Sequence, residues 1–350
     1  MMRPRMFLSV ATVAVCISTP IPLHAQWLRQ ESGTDAEFRG LHAASELVVW
    51  AAGRNGWFSR SGDGGATWRA DTIAGAADLF LVDVYAFDAL AACILGTSFD
   101  GGLARIYHTA DGGDSWTVTY ENRHPQAFLD GLAFWDDAYG VAFGDPVDGA
   151  FLVIRTTDGC RSWMEVPREN LPVPLDGEAG FAASGTAITV AGASHAWIGT
   201  GGGSIARVLR TTDRGLTWTA HETPLPAGRT AGIFGLAFRD ERYGIAVGGD
   251  YRVRADGRDN VLRTDDGGRT WRVAGTSAPL GVRYGVAYVA GAPSPTLVAT
   301  GPSGYGLSTD DGTTWTAVDT VSVNTVSFVS PRAGWVAGVE GRIWRIERPF

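Results

Sequence analysis

Along the chain, short apolar runs alternate with turns rich in Gly, Asp and Pro, and the same order of runs recurs. In one unit, Gly131-Leu132-Ala133-Phe134-Trp135 reads as an inner strand and Asp136 to Gly140 as a turn. Val141 to Gly144 follows as a second strand, Phe151 to Arg155 as a third, and a fourth begins at Trp163. Gly235-Leu236-Ala237-Phe238 and Gly285-Val286-Ala287-Tyr288 repeat the inner register. Four strands per unit predict the blade of a β-propeller.

A polar octet, Ser/Thr-x-Asp-x-Gly-x-Ser/Thr-Trp, joins the third strand to the fourth. It starts at Ser61, Thr109, Thr156, Thr211, Thr264 and Ser308, with Cys160 in place of the glycine in the third copy. The starts lie 48, 47, 55, 53 and 44 residues apart, a period that marks a propeller or array. Aspartate accepts backbone N–H bonds within such a turn, glycine supplies a positive φ, and the hydroxyl bonds back across it. Asp63, Asp111, Asp158, Asp213, Asp266 and Asp310 are therefore expected to be structural. The tryptophan at constant offset is expected to fill one niche beside the neighbouring unit.

A last unit lacks the octet: Val323 to Phe328, Gly334 to Gly338 and Arg342 to Ile346 supply three strands. Gln26 to Glu31, with Trp27 placed like the octet tryptophans, resembles a fourth. The expectation is an all-β fold, a single seven-bladed propeller of four-stranded blades, closed by an N-terminal outer strand in the last blade. The blades fall near 38–73, 78–122, 128–168, 178–223, 231–277, 281–319 and 323–350 plus 26–31. Closure of this kind removes free sheet edges.

Ahead of this unit, Met1 to Ala25 reads as a secretion signal, with Arg3 and Arg5 before the apolar run Met6 to Ile17 and cleavage after Ala25. The run is shorter than a membrane span requires. Val15 before Cys16 speaks against lipidation there. The mature chain is expected to be periplasmic or extracellular, monomeric and without a membrane span. Its two remaining cysteines, Cys93 and Cys160, fall in different units, one in a predicted inner strand and one in a turn, and a disulfide between them is not expected.

The net charge of -8 argues against nucleic acid as a partner, because phosphate affinity needs clustered cations. All 29 basic residues are arginine, scattered along the chain, which fits codon bias better than a guanidinium-lined site. Gly199-Thr200-Gly201-Gly202-Gly203 misses the dinucleotide spacing and precedes a strand, so no cofactor is expected. Asp145-Pro-Val-Asp148 and Asp256-Gly-Arg-Asp259-Asn260 read as solvated turns rather than calcium loops, and no metal is expected.

The octet resembles the Asp-box, or BNR, repeat of sialidases, other glycosidases and sortilin-type receptors. More narrowly, Arg263 to Trp271 after Gly244-Ile245-Ala246-Val247-Gly248 is similar to the photosystem II stability/assembly factor-like repeat proteins. That resemblance runs from about Phe38 to the C-terminus and implies a binding or assembly scaffold. The alternative it carries is a glycoside hydrolase, sialidase-like or another Asp-box glycosidase. For sialidase chemistry, Phe38-Arg39-Gly40-Leu41 matches only half of the Phe-Arg-Ile-Pro motif, and Arg123, Arg229 and Arg283 would have to join Arg39.

A protein or carbohydrate ligand is expected on the face opposite the octets, where the loops between blades and between second and third strands emerge. Arg39, Asp83, Asp130, Phe234, Tyr284 and Asn324 stand just before the inner strands, with Arg283 beside Tyr284 and Glu178 in the irregular fourth unit. Asp145, Asp148, Asp250 and Tyr251 are expected near the same channel mouth. Either these residues form a ligand site, or they bind only water.

Overall fold

The computed structural model describes residues 27–274 and 281–347; the leader 1–25 and its cleavage point lie outside them. Strands order into seven four-stranded antiparallel sheets. Their inner strands are Phe38–Ala43, Phe80–Ala86, Leu129–Phe134, Ile188–Ala191, Ala231–Phe238, Gly285–Tyr288 and Thr325–Ser330, giving blades 1 to 7. Six blades follow the chain outward. The seventh takes its outer strand, Trp27–Glu31, from the other end of the chain, with Trp27 opposite Ile346 and Glu31 opposite Arg342. Among the described residues the helical elements are two short 3-10 turns, Arg54–Gly56 and Arg168–Asn170, and no helix is long and apolar enough to cross a membrane.

Each octet folds alike. In blade 5 the Asp266 carboxylate accepts the Thr264 hydroxyl at 2.9 Å, the Thr270 N–H at 3.0 Å and the Thr270 hydroxyl at 2.7 Å. The Thr264 hydroxyl in turn accepts the Gly268 N–H at 2.9 Å. The same set recurs around Asp63, Asp111, Asp158, Asp213 and Asp310. These donors hold the carboxyls low; for Asp63, Asp111 and Asp266 the pKa falls to about 2.

The core is seven apolar clusters, each between two adjacent blades. The octet tryptophan of one blade packs on the blade before it: Trp116 stands 5.2 Å from Phe58 of blade 1, and Trp271 joins Trp197 of blade 4. Trp27 does the same for blade 7, packing edge-on to Tyr305 of blade 6 at 5.5 Å.

The same interlocking overturns the expectation about the cysteines. Cys93 and Cys160 form a disulfide with their Cα atoms 6.1 Å apart. Cys93 lies in the second strand of blade 2, not the inner one, and pairs with His108, the residue before the octet. Trp197 and Ile245 occupy that place in blades 4 and 5. The octet glycine of the following blade faces them: a Cβ on Gly268 would lie 2.8 Å from Trp197, and one on Gly312 2.6 Å from Ile245. Cys160 takes this glycine position, at φ 73°, so its side chain points straight at Cys93. Membership of different repeats is what brings the two together.

Candidate functional site

The inner strands surround a channel, and the chain itself closes one end. After blade 3, a Pro-containing link leads residues 180–187 across the axis. There the Gly185 N–H donates to the Arg39 carbonyl of blade 1 at 3.1 Å, and the Thr186 carbonyl accepts the Leu236 N–H of blade 5 at 2.7 Å. The Ser184 hydroxyl donates to the Tyr284 carbonyl of blade 6 at 2.8 Å, and Arg39 donates to the Ala182 carbonyl at 2.8 Å. This plug seals the end where the polar ring was expected to surround an open mouth. The rest of the channel is a cavity of about 660 Å³ reaching the octet side, floored by Gly185 and Thr186. His42 on its wall accepts the Ala86 N–H at Nδ1, and burial lowers its pKa to about 4, so it is neutral.

The ring residues consequently divide. Asp83, Asp130, Glu178, Phe234, Arg283 and Asn324 are buried. Asp83 is one position later than the alignment placed it: blades 1, 2, 3 and 5 share a bulge at which Val82 stands where Arg39, Asp130 and Phe234 do, so Asp83 is level with Gly40, Gly131 and Gly235. Its carboxyl points at the plug, where a Cβ on Gly185 would lie 2.2 Å away, and accepts the Val84 and Leu132 N–H groups at 2.8 Å each. Burial raises its pKa well above the usual range. Glu178, expected close to the inner strand of the fourth unit, lies ten residues before it, because that strand begins at Ile188. It is sealed in an ion pair with Arg207, which donates Nε at 2.9 Å, and accepts the Thr200 hydroxyl at 2.6 Å. Gly201 of the glycine run pairs with Ala179, in the strap 174–179 that leads into the plug. Arg283 donates to the Gly304 carbonyl at 2.6 Å, and burial lowers its pKa to about 10.

Asp130 and Asp145 form a pair. Asp145 is half-buried and accepts the Gly180 N–H at 2.8 Å. Asp130 is fully buried behind it, and neither of its oxygens has a hydrogen-bond partner among the described residues. The Ala182 N–H approaches but falls short of hydrogen-bond geometry. Burial first and the Asp145 charge second raise Asp130 well above the carboxylate range, while burial brings Asp145 to about 6.

Arg39, Tyr284, Asp250 and Tyr251 remain partly open. Arg39 pairs with Glu37 at 3.3 Å and stands over the Phe80 ring at 4.5 Å and the Phe99 ring at 5.2 Å. Asp250 accepts the Thr230 hydroxyl and the Arg252 N–H, both at 2.8 Å. Of the four arginines that a sialidase-type cluster would need, Arg123 pairs with Glu121, Arg39 pairs with Glu37, and Arg283 is buried against the Gly304 carbonyl. Asp256 pairs with Arg258, and the Asn260 amide donates to the Gly281 carbonyl.

The face outside the plug also carries residues that sequence reasoning passed over. Phe99, 53% exposed, packs on Phe80 at 5.5 Å and on Phe128 at 5.3 Å. Phe181 packs on Phe234 at 4.5 Å and lies 6.4 Å from Tyr251. Beside Phe99 and Phe128 runs a groove of about 700 Å³, bounded by blades 2 and 3 and the strap 174–179. The signal for it in the sequence is a large aromatic in a short second-to-third strand turn, Ser98-Phe99-Asp100.

No protein-family model matches this chain, and no curated protein matches it. Solved propellers do. The structure described as YCF48 bound to D1 peptide superposes with a TM-score of 0.62 at 17% identity, covering 95% of this chain and 100% of that one. YCF48 from Cyanidioschyzon merolae gives 0.64 at 15%, covering 92% and 99%. The WD40 propeller domain of Doa1 gives 0.62 at 13%, covering 93% and 96%. At these identities the likeness is one of fold.

Proposed function

We propose that this chain is an exported binding scaffold that holds an extended protein segment on the face opposite the octets, in the manner of photosystem II assembly factor-like proteins with Asp-box repeats. The observation that carries this reading is the aromatic-walled groove beside Phe99, on a face whose channel is sealed by the chain's own plug. A channel sealed at this end leaves the loop surface as the place of contact on this face, and exposed aromatics supply contact area at low entropic cost. The YCF48 propeller that superposes on this chain is bound to a D1 peptide, which supports a peptide as the ligand class. Export is supported by the leader composition and by the Cys93–Cys160 bridge, since disulfides persist in oxidising compartments.

The test is binding of labelled extended peptides to the full chain. Phe99→Ser is expected to weaken binding at least tenfold, whereas Leu216→Ser, on an exposed octet turn, is expected to leave it unchanged. Equal loss in both variants would remove the groove as the site. The glycoside hydrolase reading draws support from Asp145, held near 6 where a general acid works, but its partner Asp130 is sealed behind Gly180 and cannot reach a sugar. Hydrolysis of fluorogenic glycosides that disappears in Asp145→Asn would favour that reading.

A further inference from the structure

We propose that the groove receives a cationic side chain, a lysine ammonium or arginine guanidinium, from the bound segment. This rests on the peptide-binding reading above and names the chemistry of the partner. The walls are apolar, formed by Phe99, Phe128, Pro125, Pro146 and Pro174. Every ionisable group lining the groove is acidic: Asp100, Asp145, Asp176 and Glu178. Glu178 is neutralised by Arg207, but Asp100 and Asp176 are exposed, and their carboxylates make no hydrogen bond or ion pair among the described residues. Asp145 gives one oxygen to Gly180 and leaves the other without a partner among the described residues.

The second observation is Asp130. A fully buried carboxyl facing Asp145 without any hydrogen bond is costly, and among the described residues no cation pairs with it. The surrounding cations are engaged elsewhere. Arg39 pairs with Glu37, Arg168 donates to the Asp148 carbonyl, and His124 lies 3.5 Å from the Asp148 carboxylate. A ligand cation against Asp145 would compensate the pair from the groove side, and the Phe128 ring would add cation–π attraction, the Phe99 ring already carrying Arg39 at 5.2 Å. Burial and the neighbouring Asp145 charge favour the protonated form of Asp130, while Asp145 must ionise. Since Asp145 sits near 6, affinity rises as pH climbs through that value.

The experiment uses fluorescein-labelled Gly-Ala-Phe-Lys-Phe-Ala-Gly and the same peptide with norleucine or glutamate in place of lysine, measured by anisotropy on the full chain. The lysine peptide is expected to bind at least tenfold tighter than the norleucine peptide at pH 7.5. That advantage is expected to fall below twofold at pH 5, and likewise in Asp145→Asn at pH 7.5. Should Asp145→Asn not fold, Asp100→Asn combined with Asp176→Asn is expected to cut the lysine advantage at least threefold. Equal binding of the lysine and norleucine peptides at pH 7.5 would overturn the cation pocket while leaving peptide binding intact. A lysine preference that survives both variants would also overturn it. Absence of binding by all three peptides would sink both readings together.

Discussion

At the scale of single residues, the octet aspartates and the buried aspartates respond to pH in opposite senses. Asp266 holds its turn through four accepted hydrogen bonds, so Asp266→Ala is expected to lower unfolding free energy by about 1–2 kcal/mol in denaturant titration, with peptide affinity unchanged. Octet carboxyls have depressed folded pKa values. Their stabilisation is full above the unfolded value near 4 and is lost as pH falls toward about 2. Asp130 is raised instead. The folded state binds its proton more tightly, so its contribution is full below about 4 and declines as pH rises. Asp130→Asn is therefore expected to gain stability relative to the parent between pH 4 and pH 8, measured by thermal melts at both. A parent and variant whose difference does not move with pH would show that Asp130 ionises normally.

At the scale of elements, what the sequence made legible was whatever repeats, and what it hid was whatever differs. The octet turns, the strand order and the closing strand at Trp27 all follow from period and pattern, and each is present. Deleting Trp27 to Gly33 is expected to destabilise the whole ring, since truncating one packed aromatic alone costs about 3–5 kcal/mol; an unchanged melting temperature would count against the closure. The fourth unit broke the period, and there the reading failed: alignment put Glu178 near an inner strand that begins ten residues later, at Ile188, and gave no hint that 180–187 crosses the axis. Asp83 was aligned one place off, because blade 2 carries Val82 at the bulge it shares with blades 1, 3 and 5 and an aspartate where they carry Gly40, Gly131 and Gly235. The disulfide was hidden because it belongs to the contact between repeats, not to either repeat. Cys93→Ala with Cys160→Gly removes a link closing 67 residues. The double variant is expected to lose about 2–4 kcal/mol, less what glycine recovers at a positive φ, measured by denaturant unfolding against the oxidised parent.

At the scale of the whole molecule, the plug turns a ring of separate blades into one body, because residues 180–187 bond to inner strands of blades 1, 5 and 6 at once. Gly185→Val is expected to act on the entire ring rather than on one loop, since a Cβ there meets the Asp83 carboxyl at 2.2 Å. A single cooperative transition at lower temperature is the expected melt; a separate early transition confined to blade 4 would contradict it.

The pairing of Trp27 with Ile346 also sets a clock. These partners are 319 positions apart, so the first strand to be made is the last to find its place. At synthesis rates of about 5–20 residues per second it waits roughly 16–64 s. Throughout that interval Trp27 has no Tyr305 to pack on, and the strand Arg342–Ile346 does not yet exist to pair with it. Every newly made copy thus passes through a stage with an unsatisfied strand at its leading end, able to join the trailing end of another copy as readily as its own. Fast production at high local concentration would convert this ring-closing strand into a domain-swapping one, and the yield of monomer should fall with expression rate while the fold of each ring stays the same.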